Sequence, residues 1–414
     1  MQMRIPLFLL ALFIIACQHR KIGVPPEYKN AAEQLADSVT DIAVTSDHFT
    51  TIRIPQRFSA DNEIRLSEVI DSVWYLPLET NDSSIISYVD QVNEYKGNYI
   101  ILDILSNKVL AFDKKGKFIR QIGHKGKGPG EYLHPTSFVV DTARDEIIVH
   151  DDHTSKIIHY DGQGNLKREE IAKYRFVQFV KSGDQYIINS DRSDNVHLDR
   201  ILNSKLLFAS GAWKVNHTAF GYDWETQQDL ATNRRALIET DGHINYNPSY
   251  SYNIYRITDT SIRKTYFIDA GNYALPEGFD KNLSIEDFNR KYEKDNGNKL
   301  YISSAPLESN NHIVLTLNMN RQYIFAYYSK KTNKLFCNSY FNNDIPWCMG
   351  PANVVDVIGN TFVGYLNAVE VGEHRRDMEK YGLTKLLPPS FIAMTDAVKD
   401  IDNPVLAFFK LKDF

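Results

Sequence analysis

The stretch Tyr99–Asp103 (YIILD) leads into Val109–Asp113 (VLAFD), and the same pair of apolar runs returns as Ile147–Asp151 (IIVHD) and Ile157–Asp161 (IIHYD). The second copy follows the first at a constant offset of 48 positions, without a gap. Each run is short and ends in aspartate, and a glycine turn follows the second run of each copy. A repeat of this length built from short strands is typical of the blades of a β-propeller.

Apolar runs of similar length continue to the C-terminus, and we count six blades. The runs that mark the later blades are Phe176–Phe179, Asn253–Ile257, His312–Leu317 and Val354–Ile358. We expect the strand Val69–Leu78 to close the ring against the last blade, because closure removes unpaired strand edges. Short helical insertions are predicted at Ser284–Tyr292 and Glu373–Tyr381. The sequence therefore predicts an all-β fold, a six-bladed β-propeller with short helical insertions, closed by an N-terminal strand.

The N-terminus has the features of a bacterial lipoprotein signal. The apolar run Ile5–Ile15 is too short to span a bilayer comfortably and fits the apolar region of a signal peptide. It leads into Ala16-Cys17, which resembles the lipobox, where a small residue precedes a cysteine that is acylated before the signal is cut away. An uncleaved anchor helix is the alternative. We divide the chain into a lipoprotein signal peptide at 1–16, a tether at 17–46 and a propeller domain at 47–414.

The charge and the cysteine content limit the classes of partner that the chain can bind and the bonds that its cysteines can form. The net charge of −5 and the pI of about 6.2 are spread along the chain without long blocks of one sign. A nucleic-acid binder needs a clustered basic face, so we predict no nucleic-acid partner. Cys337 and Cys348 are the two cysteines besides Cys17. An oxidising compartment permits a disulfide between them, and two buried thiols are the alternative.

Three segments resemble a known family: Val73–Glu79 ahead of blade 1, Ile119–Tyr132 (IRQIGHKGKGPGEY) after it, and Tyr246–Ile257. They are similar to the six-bladed β-propeller lipoproteins of Bacteroidetes, distant relatives of the NHL-repeat propellers. The resemblance implies this fold and a lipid anchor, and it implies no settled biochemical activity. Surface-exposed lipoproteins of this phylum tend to carry acidic residues after the acylated cysteine, whereas this chain has Gln18–Lys21 (QHRK). We therefore expect Cys17 to anchor the chain in the outer membrane of the cell envelope, on its periplasmic side.

Candidate chemical motifs are weak. The glycine-rich loop Gly126–Tyr132 lacks the Gly-Lys-Ser/Thr of a phosphate-binding loop, so its glycines are better explained as turn residues than as an anion cradle. Asp103 and Asp151 recur once per blade, which favours turn stabilisation over acid–base catalysis. Five histidines cluster in the sequence, but metal ligands in a propeller come from the inner strands of several blades. These histidines are His124, His134, His150, His153 and His159. We assign no catalytic residue, no metal ligand and no cofactor.

Two segments break the repeat, Gly211–Arg235 between blades 3 and 4 and Gly271–Asn298 between blades 4 and 5. Segments that depart from a repeat usually carry added function, since the scaffold holds together without them. Aromatic rings in these segments would supply stacking surface, and arginines would supply hydrogen-bond donors. The predicted binding residues are Trp213, Tyr222, Trp224, Arg234, Arg235 and Arg290.

Two functions follow from these observations. The first is a non-enzymatic binding or scaffold propeller for a glycan, peptide or protein partner, because loops from all blades surround one channel. The alternative is a metal-dependent lyase, lactonase or glycan-acting enzyme centred in the channel.

Overall fold

The structure is a computed structural model that describes residues 25–58, 64–227, 233–259, 261–279, 297–349 and 353–414. Six antiparallel sheets are arranged as the blades of a propeller, which confirms the predicted fold class. The middle strands are buried along almost their whole length, as in Asn98–Asp103 and Glu146–Asp151. Neighbouring blades cover both faces of each sheet. The sequences of these strands are therefore continuous apolar runs, without the alternation of apolar and polar residues found in half-exposed strands.

The first three blades follow the repeat in chain order. From the channel outwards, blade 1 contains Gln91–Tyr95, Asn98–Asp103, Lys108–Asp113 and Phe118–Gln121. Blade 2 contains Pro135–Asp141, Glu146–Asp151, Lys156–Tyr160 and Leu166–Ile171. Blade 3 contains Gln178–Ser182, Gln185–Asn189, Ser204–Ser210 and Val215–Gly221. A small two-stranded sheet, His124–Lys125 with Glu131–Tyr132, lies between blades 1 and 2.

The last three blades are less regular. Blade 4 contains Leu237–Thr240, His243–Tyr246, Asn253–Ile257 and Ile262–Asp269. Blade 5 has an inner strand in two pieces, Tyr301–Ile302 and Leu307–Glu308, followed by His312–Met319, Gln322–Ser329 and Leu335–Asn338. Blade 6 contains Val354–Ile358, Thr361–Leu366 and Val405–Leu411, with Ile70–Pro77 as its outer strand.

The ring is closed by the N-terminal strand, as the sequence predicts. Ile70–Pro77 pairs antiparallel with Val405–Leu411, the third strand of blade 6. Trp74 stacks on Phe408 across this pair, with ring centroids 5.5 Å apart and an interplanar angle of 7°. Because the two ends of the chain share one sheet, separating them would expose both strand edges.

The chain before the closing strand differs from the tether predicted at 17–46. From residue 25 onwards it packs on the propeller: Leu35–Asp41 adds a fifth, parallel strand to blade 3. Val44–Thr45 and Thr50–Arg53 pair with the outer strand of blade 4. The outer strands of these blades offer unpaired edges, and Tyr28 and Leu35 join the core between blades 2 and 3. Residues 17–24, with Cys17, lie outside the described part of the chain.

The repeated aspartates stabilise turns, as predicted. Asp103 accepts hydrogen bonds from the backbone N–H groups of Ser87 (2.6 Å) and Ser106 (3.0 Å). Asp151 accepts equivalent bonds from Leu133 (2.7 Å) and His153 (3.1 Å). Each aspartate therefore ties the turn after the second strand to the segment that enters the inner strand of the same blade.

The longer helices belong to one insertion in blade 6. Between its second and third strands lie α1 (Ala368–Lys380), which begins with a capping box formed by Asn367 and Glu370, and α2 (Pro389–Ala397). The predicted helix Glu373–Tyr381 corresponds to most of α1, whereas Ser284–Tyr292 falls outside the described residues. Shorter helical turns are Pro26–Tyr28, Ala31–Gln34, Leu66–Val69, Asp199–Leu202, Trp224–Gln227, Gly271–Tyr273 and Thr384–Leu386. Of the helices described, none has the length and apolar character needed to cross a membrane.

Cys337 and Cys348 are both buried in the structure and are not joined to each other by a disulfide, which matches the alternative of two buried thiols. Cys337 packs in the cluster that blade 5 shares with blade 4, whereas Cys348 packs with Tyr327 in the cluster shared with blade 6. The blade 5 sheet separates the two clusters, because successive side chains of its third strand point to opposite faces. Burial raises the pKa of the Cys337 thiol.

Candidate functional site

The long connections between strands, as far as the structure describes them, lie at one end of the ring, which we call the loop face. It is the end where each inner strand begins, because four antiparallel strands bring the chain back to that end before the next blade. The opposite end has short turns such as Lys96-Gly97 and Asp241-Gly242. The described parts of the long connections on the loop face are residues 126–134, 190–203, 222–227, 233–236, 270–279, 297–300, 339–349, 353 and 367–404. Both segments predicted to break the repeat lead into inner strands, so both reach this face.

Arg235, which precedes the inner strand of blade 4, reaches across the mouth of the channel. Its guanidinium donates to the backbone carbonyls of Asp90 (2.8 Å) in front of blade 1 and Val355 (2.6 Å) in blade 6. It also donates to the Asp356 carboxylate at 2.9 Å. Burial raises the pKa of Asp356 even though the arginine beside it favours the charged form.

Arg234 makes a second crossing, from blade 4 to blades 1 and 2. Its guanidinium donates to the backbone carbonyl of Thr136 in blade 2 and pairs with the Asp90 carboxylate. Both arginines were predicted to bind a ligand, yet protein carbonyls and carboxylates already accept their hydrogen bonds. Together they connect four blades at the loop-face end of the channel, so much of their hydrogen-bonding capacity is used within the protein.

Side chains also connect adjacent inner strands around the channel. The Gln91 amide in blade 1 donates to the Phe138 carbonyl in blade 2 at 2.8 Å. The Gln178 amide in blade 3 donates to the Leu237 carbonyl in blade 4 at 2.7 Å and accepts from its N–H at 3.0 Å. These bonds satisfy backbone groups that no fifth strand can reach, so they hold the inner edges together.

Trp213 is a core residue instead of a surface ligand-binding residue. Its side chain has no exposed area, and its ring stacks on Tyr186 with centroids 4.2 Å apart. Residues Gly211–Trp213 form the outer turn of blade 3, where Trp213 adopts a φ of +58°. Gly116 occupies the equivalent place in blade 1, 97 positions earlier, with a φ of +79°. That spacing, one more than twice the repeat offset of 48 positions, is the signal that identifies the stretch as part of the repeat.

The other predicted aromatic residues do not form an open stacking surface. The Trp224 side chain is buried, and its backbone N–H donates to the Asn203 side chain at 3.2 Å. Tyr222 is half-buried on the connection that leads to Arg234, and burial raises the pKa of its hydroxyl. Arg290 lies outside the described residues. Of the three predicted aromatic residues, Tyr222 alone is partly open to solvent.

The glycine-rich loop folds around its own acidic residues. The Gly128 N–H donates to the Glu131 carboxylate at 2.7 Å, and the Gly130 N–H donates to Glu169 at 2.5 Å. A Cβ on Gly126 would lie 2.0 Å from the Glu131 carboxylate, so a larger residue here would displace that side chain from its place in the loop. Because carboxylates occupy these donors, the loop is a structural turn, as predicted.

Two of the five clustered histidines come together on the loop face. His134 Nδ1 lies 2.8 Å from the Asp152 carboxylate, and His153 Nε2 lies 3.9 Å from the same oxygen. The two imidazole rings stack with centroids 4.7 Å apart. The hydrogen bond to Asp152 raises the pKa of His134. Sequence reasoning missed this group because its histidines lie on different segments. His134 precedes the inner strand of blade 2, and His153 follows the second strand, so the two come together only when the blade folds.

The remaining three histidines lie apart from this group. His150 is buried against Phe176, with ring centroids 3.8 Å apart, and burial lowers its pKa to about 4. His159 is fully buried between the carboxylates of Glu146 (2.9 Å) and Glu170 (3.2 Å). His124 is exposed on the small sheet between blades 1 and 2.

Three exposed aliphatic side chains lie on segments of the loop face that hydrogen bonds join, and we call them the apolar rim. Ile85, Leu105 and Ile401 are 48%, 43% and 88% exposed. Hydrogen bonds join their segments: Ile86 N–H donates to Asn403 at 2.8 Å, and the hydroxyls of Ser87 and Ser106 lie 2.7 Å apart. Trp347, Tyr381, Leu386 and Val196 are further exposed apolar residues on connections of this face.

Comparison with known proteins gives a family and a fold. The family model described as Domain of unknown function (DUF4934) matches residues 49–410. No curated protein matches the chain.

The solved structures that resemble the chain include two from Bacteroides. A candidate exported protein from Bacteroides fragilis has a TM-score of 0.71 at 19% identity, over 89% of this chain and 100% of that chain. A member of the DUF4221 family from Bacteroides vulgatus has a TM-score of 0.50 at 9% identity, over 83% of this chain and 98% of that chain. At these identities the likeness shows the fold alone.

Proposed function

Because the chain belongs to the DUF4934 family, whose described function is unknown, we propose that it is a lipid-anchored envelope protein that binds a polypeptide partner. The loop face of the propeller makes the contact, and no chemical reaction is catalysed. The observation that carries this proposal is the apolar rim, which lies on the same face as the described long connections.

The chemistry of the rim favours a polypeptide over a glycan. Exposed Ile85, Leu105 and Ile401 gain most from burial against apolar side chains, because aliphatic groups offer no hydrogen bonds to sugar hydroxyls. Sugar recognition relies on exposed aromatic rings. The apolar rim contains none, and Trp213 and Trp224, predicted to provide them, are buried, although Trp347 and Tyr381 are exposed elsewhere on the loop face. Of the predicted partners (a glycan, a peptide or a protein), a peptide or protein therefore suits this surface best.

The cellular location rests on the N-terminal sequence. The apolar run followed by Ala16-Cys17 supports export and acylation at Cys17, and Gln18–Lys21 supports the periplasmic side of the outer membrane. The fold shared with a candidate exported protein of Bacteroides fragilis is consistent with this location. The relationship to NHL-repeat propellers is part of the same proposal.

The arrangement of the channel mouth argues against the channel-centred enzyme. Arg234 and Arg235 cross the loop-face end and are paired with Asp90 and Asp356, so these charged groups are committed to contacts between blades. Among the described residues, the three-membered group with metal-ligating side chains is His134, Asp152 and His153, which come from one blade. A channel-centred site would take its ligands from several inner strands.

A peptide array and a glycan array probed with the full chain in detergent test the proposal. The variant Leu105→Asp/Ile401→Asp places two negative charges on the rim, and Val44→Asp places one at an exposed site on the outer edge of blade 4. We expect the wild type and Val44→Asp to bind the same peptides, and the rim variant to lose them with its circular-dichroism spectrum unchanged. Binding to glycans alone, or equal peptide binding by all three proteins, would contradict the proposal.

A further inference from the structure

We propose that His134, Asp152 and His153 form a binding site for a divalent transition-metal ion, with zinc as the best match. The site lies on the loop face at blade 2 and is separate from the apolar rim, so it goes beyond the proposed partner binding. It supplies two imidazole nitrogens and one carboxylate oxygen.

The three ligand atoms are already close. One nitrogen of each histidine and one Asp152 oxygen all lie within 4.8 Å of one another. Zinc bonds of about 2.0–2.1 Å in a tetrahedral site place ligand atoms about 3.3 Å apart. The His134–Asp152 distance of 2.8 Å and the Asp152–His153 distance of 3.9 Å lie on either side of this value. The His153 side chain is 61% exposed, so it has room to rotate and move its Nε2 towards the position of the ion.

The backbone that carries the ligands is fixed by one buried carboxylate. Asp151 Oδ1 accepts hydrogen bonds from the backbone N–H groups of His134 (2.9 Å) and His153 (3.1 Å). The segment that enters the inner strand and the turn after the second strand are thus held together before any ion binds. A site whose ligands are positioned in advance loses less conformational entropy when the ion binds.

The repeat itself does not require these ligands. Blade 1 has the same turn, tied by Asp103 as blade 2 is tied by Asp151, and there Ile104 and Leu105 stand 48 positions before Asp152 and His153. Since the turn forms with two apolar residues, the acid and the histidine of blade 2 are not needed for folding. Their presence beside His134 is an addition to the scaffold, which is the pattern expected of a ligand site.

The donor set selects the class of ion. Two neutral imidazoles and a carboxylate suit Zn²⁺ and neighbouring first-row metals, whereas Ca²⁺ and Mg²⁺ prefer sites built from oxygen ligands alone. Three protein ligands leave at least one coordination position open. Because all three residues face solvent to some degree, that position is accessible to water or to a donor group of another molecule.

The test measures zinc binding by the full chain, purified in detergent without a polyhistidine tag. Isothermal titration with Zn²⁺ and metal analysis after gel filtration should give one ion per wild-type chain. We expect His134→Ala, Asp152→Asn and His153→Ala each to weaken binding by at least about tenfold, since even outer-shell changes at metal sites cost 10–100-fold. His124→Ala removes an exposed histidine outside the site and should retain the wild-type affinity.

Cobalt provides a spectroscopic check on the ligands. Co²⁺ in the site should give visible absorption bands of a low-coordinate complex in the wild type and in His124→Ala, and these bands should be absent in the three ligand variants. Asp152→Asn keeps the size of the side chain, so it separates loss of a ligand from loss of fold. Equal zinc affinity in wild type and in His134→Ala/His153→Ala, or no zinc bound by the folded wild type, would overturn the proposal.

Discussion

The Arg235 guanidinium lies 2.9 Å from the Asp356 carboxylate, joining the start of blade 4 to the inner strand of blade 6. Their side chains are 15% and 6% exposed, so the pair is largely removed from water. Two carbonyls, from Asp90 and Val355, accept further bonds from the same guanidinium. Blade 5 stands between blades 4 and 6 along the ring, so this arginine connects blades that share no strand edge.

Replacing Arg235 by methionine should destabilise the propeller strongly. The change leaves the buried Asp356 without its counter-ion, and breaking a buried pair in this way costs about 3–5 kcal/mol. Urea denaturation of Arg235→Met and wild type measures the loss of unfolding free energy. Arg53→Met is the matched control, because the ion pair of Arg53 with Asp269 is solvent-exposed and should contribute little. The double variant Arg235→Met/Asp356→Leu should recover part of the loss. Equal stability of Arg235→Met and Arg53→Met would contradict this assignment.

Glu146 should make the stability of blade 2 depend on acid pH. Burial opposes its ionisation, but hydrogen bonds from Arg168 (2.6 Å), Lys167 (2.9 Å) and His159 (2.9 Å) outweigh burial and lower its pKa from 4.5 to about 2. The folded state therefore binds this proton less readily than the unfolded state. The stabilisation is fully present above pH 4.5 and is lost as the pH falls through the folded pKa.

Urea denaturation at pH 6 and pH 3 tests the role of Glu146. The wild type should lose more unfolding free energy between these pH values than Glu146→Gln, which has no proton to take up at this site. Glu33→Gln, at a side chain that is 68% exposed, should keep the wild-type pH dependence. If Glu146→Gln and the wild type lose the same amount, the carboxylate is not held ionised by its neighbours.

The repeat made the fold predictable because its turns depend on local chemistry. Asp103 and Asp151 bond backbone groups of their own blades, and Gly116 and Gly164 adopt φ values of +79° and +78° in matching turns. Such features are determined by short stretches of sequence, which recur at an offset of 48 positions. Closure of the ring followed from the need to pair the edges of the first and last strands.

The candidate site was less predictable because its contacts join distant segments. Arg235 reaches Asp90 and Asp356, which are 145 and 121 positions away, and no local pattern specifies those partners. The strand Leu35–Asp41 was missed for a similar reason, since its few apolar residues gain their burial from blades 2 and 3. Trp213 was misplaced because a bulky residue replaces the glycine that marks the outer turn in blades 1 and 2.

Trp213→Ala should destabilise the fold, because the indole fills the core between blades 2 and 3. Its ring contacts Tyr186, Phe179 and Phe176 at centroid distances of 4.2, 5.5 and 5.9 Å. Removing a buried tryptophan leaves a cavity and costs about 3–5 kcal/mol. Urea denaturation should show this loss for Trp213→Ala and a much smaller one for Trp347→Ala, whose side chain is 38% exposed. Equal stability of the two variants would contradict the assignment of Trp213 to the core.

The lipid anchor is testable through acylation, because Cys17 is the cysteine of the predicted lipobox. Cys337 and Cys348 are 5% and 2% exposed, so a folded chain offers neither thiol to an acyl group. Cells grown with labelled palmitate should therefore label the wild type, whereas Cys17→Ser should be unlabelled and shift towards the soluble fraction. Cys348→Ser should remain labelled, which serves as the control. An unlabelled wild type that stays with the membrane would instead indicate that the apolar run Ile5–Ile15 is retained as an anchor helix.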